Sequence, residues 1–292
     1  MTVIDAPEFQ LNEEDVLLAP GVPLKVIRRC PQIAYPLHTH SFAELVVITQ
    51  GSGLHHVAGQ HIPIRAGDLF VIRGERAHGY TDVHDLHLIN VLFDAQILET
   101  SLWDLTELPG FHALFDLEPR WRGQGEVATH LHLDHLSLAR VEEKIQAIEV
   151  ELQEKETGYQ FMSVACLLRL IGQLSRWYSK AAHPTARRLS RIGQALALLE
   201  HHLEQDISME ELVSSVGLSA STLNRAFRQA VGLPPKAYHM RLRLRRAALL
   251  LQTTDLNIGQ VAEHCGFHDS NYFSRQFRQV MGRSPRAYRR QF

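Results

Sequence analysis

His38, His40 and Glu44 stand two and four residues apart in PLHTHSFAELVV, and His78 follows in GDLFVIRGERAHGY. On one extended strand those steps send the first three side chains to the same face, because successive residues alternate sides. Three imidazoles and a carboxylate suit a divalent transition metal such as zinc, iron, manganese or nickel. They equally suit hydrogen bonding to a polar ligand or to one another. Tyr80 and His87 are further candidate liners of a ligand site, and each also reads as an ordinary wall residue. A metal held this way could leave positions open for substrate, so a metal-dependent enzyme is the alternative reading, although no separate general base is evident.

A second set of residues suits different chemistry. In ASTLNRAFRQAV, Leu223, Ala226, Phe227 and Ala230 recur at helical spacing, leaving Ser221, Asn224, Arg225 and Arg228 on the opposite side. In SNYFSRQFRQVM, Phe273, Phe277 and Val280 form the inner stripe, while Asn271, Arg275, Arg278 and Gln279 point away. Arginine pairs with the two acceptors of guanine, and Asn or Gln with the acceptor and donor of adenine. One such helix alone could be a solvated amphipathic face; two in a basic region favour readers of DNA.

The elements that position these residues are legible from caps and glycines. GLSASTLNRAFRQAVGLPPKAYHMR, from Gly217, and GFHDSNYFSRQFRQVMGRSPRAYRR, from Gly266, are copies of one device. Ser208 and Glu211 form a capping box, Gly217 ends that helix, Ser219 caps the next and Gly232 ends it. Asn257, Gln260, Gly266, Asp269 and Gly282 repeat the pattern, which makes two helix-turn-helix units. Between them, Pro234 to Gln252 reads as a helix carrying Tyr238, Leu242 and Leu249 inward. About sixteen helical residues span about 24 Å, a separation that lets two readers approach the 34 Å between successive major-groove faces. Arg241, Arg243, Arg245 and Arg246 on this rod are expected at phosphates or bracing carboxylates.

Ahead of these helices, LKVIRR, ELVVIT, GLHHVAGQHIPI, GDLFVI and LHLINVLF alternate with glycine-containing turns, the pattern of an antiparallel sandwich or small barrel. After Pro109 the pattern turns helical. Leu138, Val141, Ile145, Ile148 and Leu152 form a narrow apolar seam that suits either packing on the barrel or pairing with a second copy as a homodimer. FMSVACLLRLIGQLSRWYS reads as a second, more buried helix, and KAAHPTAR as a linker, giving domains of residues 1–184 and 185–292.

The 292 residues, 45% hydrophobic, allow two cores. The net charge of −2 hides a split: residues 1–184 hold 14 Lys/Arg against 24 Asp/Glu, and residues 185–292 hold 16 against 8. Such segregation is expected where the basic part meets a polyanion, or where it is a solvated basic face. No leader-like or membrane-length apolar run is present, and Cys30, Cys166 and Cys265 read as buried thiols of a reducing cytosol.

The segment from Gly266 to Arg290 resembles the signature of the AraC family of transcription regulators, G-F-x-D-x-x-Y-F-S-R-x-F followed by G, S-P and Y-R. The resemblance covers about one hundred C-terminal residues. It implies a two-unit domain on double-stranded DNA, joined to a separate sensor and usually activating transcription beside RNA polymerase. The family's base-reading positions fall on Ser221, Asn224 and Arg225, and on Asn271, Tyr272 and Arg275. The stretch from His38 resembles the cupin pattern, H-x-H, three residues, E, six residues, G, with Gly51 in place and a second motif running from Gly67 to His78. It departs at Arg73 and Glu75, where proline and glycine are usual. This implies an N-terminal all-β cupin, a double-stranded β-helix or jelly-roll barrel, followed by helices and the all-α DNA-binding domain. HTHSFAELVVITQGSGLH and GDLFVIRGERAHGYTDVHDLHLINVLF are similar to the L-rhamnose-responsive regulators of the family, which implies a carbohydrate effector. The expectation is a cytoplasmic, sequence-specific regulator responsive to a small molecule.

Overall fold

A computed structural model describes residues 9–11, 22–98, 104–122 and 131–292. By their internal packing these fall into two units, Met1–Ser190 and Arg191–Phe292.

The described strands of the first unit are β1 (Phe9–Leu11), β2 (Leu24–Arg29), β3 (Tyr35–His40), β4 (Ala43–Val57), β5 (Gln60–Arg65), β6 (Asp68–Ile72), β7 (His78–Phe93) and β8 (Leu131–His132). The segments ELVVIT and GLHHV, separated by a Gly-Ser-Gly turn signal, belong to the single strand β4. Its first part pairs with β6 and the end of β7, and its second part with β5 and the start of β7. β7 is shared in the same way, meeting β2 over Leu88–Phe93 and β3 at Tyr80 and His78. Register shifts between Ile48 and Leu54 let these two strands bend, which wraps the sheet into a cupin-like barrel. Gly51 is required at the bend: its φ is +73°, and a Cβ there would lie 2.0 Å from the Asp85 carbonyl oxygen. Val46, Ile48, Ile64, Phe70, Leu86 and Leu88 pack inside.

Helical segments complete this unit: α1 (Pro109–Phe111), a π-helical turn (His112–Leu117), α2 (Glu118–Trp121), α3 (His135–Glu154) and α4 (Tyr159–Ser179). Leu138, Val141, Ile145 and Ile148 are buried, and α3 packs along α4. Arg28 of β2 clamps Glu149 of α3 with two hydrogen bonds of 2.8 Å. The seam therefore packs inside the chain, one of the two roles that its spacing left open. The cysteine reading is corrected. Only Cys265 is buried; Cys30, at the turn after β2, is exposed and Cys166 is partly so.

The helix α5 (Pro184–His201) begins in the first unit and ends in the second. There follow α6 (Met209–Val216), α7 (Ala220–Val231), α8 (Pro235–Thr253), α9 (Ile258–His264), α10 (Ser270–Met281) and α11 (Pro285–Arg289). Both capping boxes form, and Gly217, Gly232 and Gly282 take left-handed C-cap positions. Gly266 is held at φ +73°, where a Cβ would stand 2.6 Å from the Glu204 carbonyl oxygen. No described helix is long and apolar enough to cross a membrane.

Candidate nucleic-acid interface and barrel interior

The paired units superimpose by counting. Arg225 and Arg275 each lie six residues after their N-caps, Ser219 and Asp269, and Arg228 and Arg278 each lie nine after. All four arginines are exposed and form no ion pair among the described residues. Leu223, Ala226, Phe227, Ala230, Phe273 and Phe277 are buried beneath them. Val280 is not: it is 45% exposed, because Met281 takes the inward place at the end of α10. In the first unit Ser221 meets the Ser219 hydroxyl at 3.1 Å, and Asn224 donates to the Ala220 carbonyl at 3.0 Å. In the second, Asn271 and Tyr272 are exposed while their backbone N–H groups donate to Asp269.

The rod α8 is nineteen residues long, about 28 Å. Its inward phase differs from the expected one. Leu249 is 54% exposed and Tyr238 and Leu242 are half-buried, whereas His239, Arg243, Leu244, Ala247 and Leu251 are buried. Two of these are polar types that periodicity assigns to solvent. They are held by backbone acceptors after α5: Arg243 Nε donates to Leu203 O at 2.6 Å and its Nη2 to Gln205 O, and His239 Nε2 meets His202 O at 3.2 Å. Arg243 is thus an internal brace, withdrawn from phosphate. Arg246 faces Glu204 at 3.7 Å, and Arg241 and Arg245 are exposed.

In the first unit His38, His40 and Glu44 do not share a strand. The chain turns at Ser41 and Phe42, so Glu44 lies on β4, yet the turn folds its carboxylate back to His40. Glu44 Oε2 is 2.9 Å from His40 Nε2 and 3.3 Å from His78 Nε2. The ligand atoms of His38, His40 and His78 all lie within 4.8 Å of one another, and all three side chains are buried. Each Nδ1 is turned to a backbone carbonyl: His38 to Pro36 at 3.1 Å, His40 to Phe42 at 2.9 Å and His78 to Arg76 at 3.0 Å. An Nδ1–H donated to a carbonyl leaves Nε2 as a lone pair, the arrangement that metal-ligating histidines use. His40 consequently faces an acceptor at both ring nitrogens, which requires a second proton on the ring, a proton on Glu44, or a cation between them. The donor set fits a divalent metal. Burial works to raise the Glu44 pKa, but hydrogen bonds from His40 and then His78 outweigh it and hold the carboxyl well below its usual range. Burial, then the nearby His78, push His38 down to about 4.

Tyr80 joins this interior. It is buried, and its hydroxyl has no hydrogen-bond partner among the described residues. Burial first, and then the charge of Glu44, raise its pKa well above the ordinary value. His87 is not among the residues that converge with His78: it is partly exposed further along β7, with Nε2 at 3.1 Å from the exposed Asp85. Sequence reasoning missed His55, fully buried with its ring centroid 5.9 Å from that of His78. It also missed Glu118 and Arg122, a buried pair from outside the barrel. Nothing in EPRWR marks them as interior, since an i,i+4 Glu–Arg pair is ordinary on an exposed helix.

A barrel with a polar interior, carried on one chain with two capped, arginine-bearing readers, defines a DNA-binding transcription regulator with a ligand-binding domain. An AraC-like ligand binding domain matches residues 22–162, and a helix-turn-helix domain matches residues 212–291. The chain is 30% identical to the HTH-type transcriptional activator RhaR of Cronobacter sakazakii over 98% of each chain. It is 33% identical to the HTH-type transcriptional activator RhaS of Klebsiella pneumoniae over 89% of this chain and 90% of that one. The chain belongs to the AraC family of transcription regulators.

Proposed function

We propose that the chain is a cytoplasmic, sugar-responsive transcription activator and not an enzyme. Residues 1–184 bind a small carbohydrate, and residues 185–292 grip two consecutive turns of one duplex beside RNA polymerase. The observation that carries this reading is the equivalence of the two readers, each presenting arginines six and nine residues after its cap. Arg225, Arg228, Arg275 and Arg278, with Asn271 and Tyr272, are assigned to DNA, and Ser221 and Asn224 to the same face. His38, His40, Glu44 and His78 would hold a divalent metal, which when bound supplies a Lewis-acid anchor for sugar hydroxyls. The buried carbonyl contacts keep the three rings aimed inward, and Glu44 compensates charge. A sugar shifts the DNA-bound population only by its difference in affinity between the two states. Promoter binding and transcription are measured with and without a panel of monosaccharides. A change with one sugar is expected, and specific DNA binding that ignores every sugar removes the sensing half of the reading.

A further inference from the structure

A tyrosine stands at the same place behind each reader. Gly232 ends α7 and Gly282 ends α10, and six residues after each glycine come Tyr238 on α8 and Tyr288 on α11. Each ring meets the buried side of its own reader edge-on. The Tyr238 centroid lies 6.1 Å from that of Phe227 with the planes at 73°, and the Tyr288 centroid lies 5.4 Å from that of Phe277 with the planes at 80°. Phe227 and Phe277 are equivalent residues, each eight after its cap and each fully buried.

The two hydroxyls reach the other way, to the long helix that precedes the helix-turn-helix. Tyr238 Oη donates to Glu200 Oε1 on α5 at 3.0 Å, and Gln252 Nε2 on α8 donates to Tyr288 Oη at 2.9 Å. The residue after each tyrosine grips the end of the same helix: His239 Nε2 meets His202 O just past α5, and Arg289 Nη2 donates to Leu256 O just past α8. α5 therefore stands to the first reader as α8 stands to the second.

Packing alone would be served by phenylalanine, since an edge-to-face contact uses only the ring. The hydroxyl adds direction, because a hydrogen bond weakens steeply away from its line. Direction is what base reading requires: an arginine fork must meet two acceptors of guanine at once, and such groups are held in place by supporting hydrogen bonds behind them. We propose that Tyr238 and Tyr288 are positioning residues of DNA recognition, each fixing the angle of its reader against the preceding helix through its hydroxyl. This rests on the assignment of α7 and α10 to two successive half-sites above. The two ties differ in strength. Glu200 offers a carboxylate and is partly buried, whereas Gln252 is a neutral, exposed amide, so the first reader is held more firmly by its hydroxyl than the second.

The test lets full-length wild type and each variant select duplexes from a randomised library, which reads base preference at both half-sites. Arg225→Ala and Arg275→Ala show which half-site belongs to which reader, and melting curves check that every variant is folded. Tyr238→Phe should lose preference about three- to tenfold at the Arg225 half-site and none at the other, and Tyr288→Phe should do the converse by about twofold. Glu200→Gln, which still accepts from Tyr238, should keep preference close to wild type, while Glu200→Ala should match Tyr238→Phe. Unchanged preference in Tyr238→Phe overturns the proposal. So does equal loss at both half-sites, which is what a general loss of stability gives, and so does Glu200→Gln behaving as Glu200→Ala. A wild type that shows no base preference at two half-sites overturns the assignment of the readers, and this proposal with it.

Discussion

The guanidinium carbon of Arg275 lies 5.8 Å from the centre of the Tyr272 ring, three residues earlier on α10. The corresponding neighbour of Arg225 is Thr222, whose hydroxyl is engaged by the Ser219 hydroxyl at 2.8 Å. One reader therefore holds its arginine against an aromatic ring, and the other leaves it without such support. A cation over a ring at an exposed site is worth about 0.5–1 kcal/mol. Tyr272→Ala should weaken a specific site about two- to fivefold and, if Arg275 contacts a base as proposed, relax discrimination at that base pair, while Tyr272→Phe should bind nearly as wild type. Fluorescence anisotropy with operator variants measures both. Equal weakening on all sequences would instead assign Tyr272 to the phosphate backbone.

Arg225 and Arg243 look alike in sequence and should fail in opposite ways. Arg225→Ala should cost about 1–3 kcal/mol of specific DNA affinity and leave thermal stability unchanged. Arg243→Leu strips the donors from Leu203 O and Gln205 O, so it should destabilise the second unit by about 3 kcal/mol. At temperatures where that variant remains folded its DNA affinity should be near wild type. Melting curves and binding isotherms on the two variants check the crossed pattern.

The helix boundaries of the second unit were legible because they are written in local chemistry: a cap, a partner three residues later, a glycine after the last turn. Inward phase was less legible. Leu249 and Val280 are apolar and correctly spaced, yet α8 turns His239 and Arg243 inward because carbonyls after α5 await donors, a long-range fact that periodicity does not contain. In the barrel, the types of His38, His40, Glu44 and His78 pointed to one cluster, and the four do converge, but their geometry depends on a turn at Ser41–Phe42 that a step count reads as strand. Glu118 and Arg122 were illegible because their burial depends on where α2 packs.

His239 gives a pH dependence of stability. Burial first, then the charge of Arg243, hold its pKa down to about 4, against the opposing hydrogen bond to His202 O and the charge of Asp206. An unfolded histidine titrates near 6.5. Between those values the unfolded chain binds the proton that the folded chain refuses, so stability falls as pH drops from about 6.5 to about 4 and gains no further loss from this group below that. His239→Gln, which can keep a donor towards His202 O without titrating, should flatten the stability of the second unit across this window. Denaturant titrations at intervals of pH measure it; an unchanged slope would place the titration elsewhere.

His40 faces Phe42 O at 2.9 Å through one ring nitrogen and Glu44 Oε2 at 2.9 Å through the other, and only a proton or a cation resolves two acceptors around one neutral ring. The two solutions respond differently to added metal. If a cation fills the centre, purified chain should retain about one divalent transition metal, and chelation should lower the melting temperature by the linkage that any ligand of the folded state exerts. His38→Ala and His78→Ala should each lose the metal, because they remove one of three converging nitrogens while Glu44 and His40 still pair. If a proton fills it, elemental analysis finds no stoichiometric metal, chelators leave the melting curve unmoved, and Glu44→Gln alone disorders the cluster. The inward lone pairs of His38 and His78, each enforced by a backbone carbonyl at the far nitrogen, favour the first outcome.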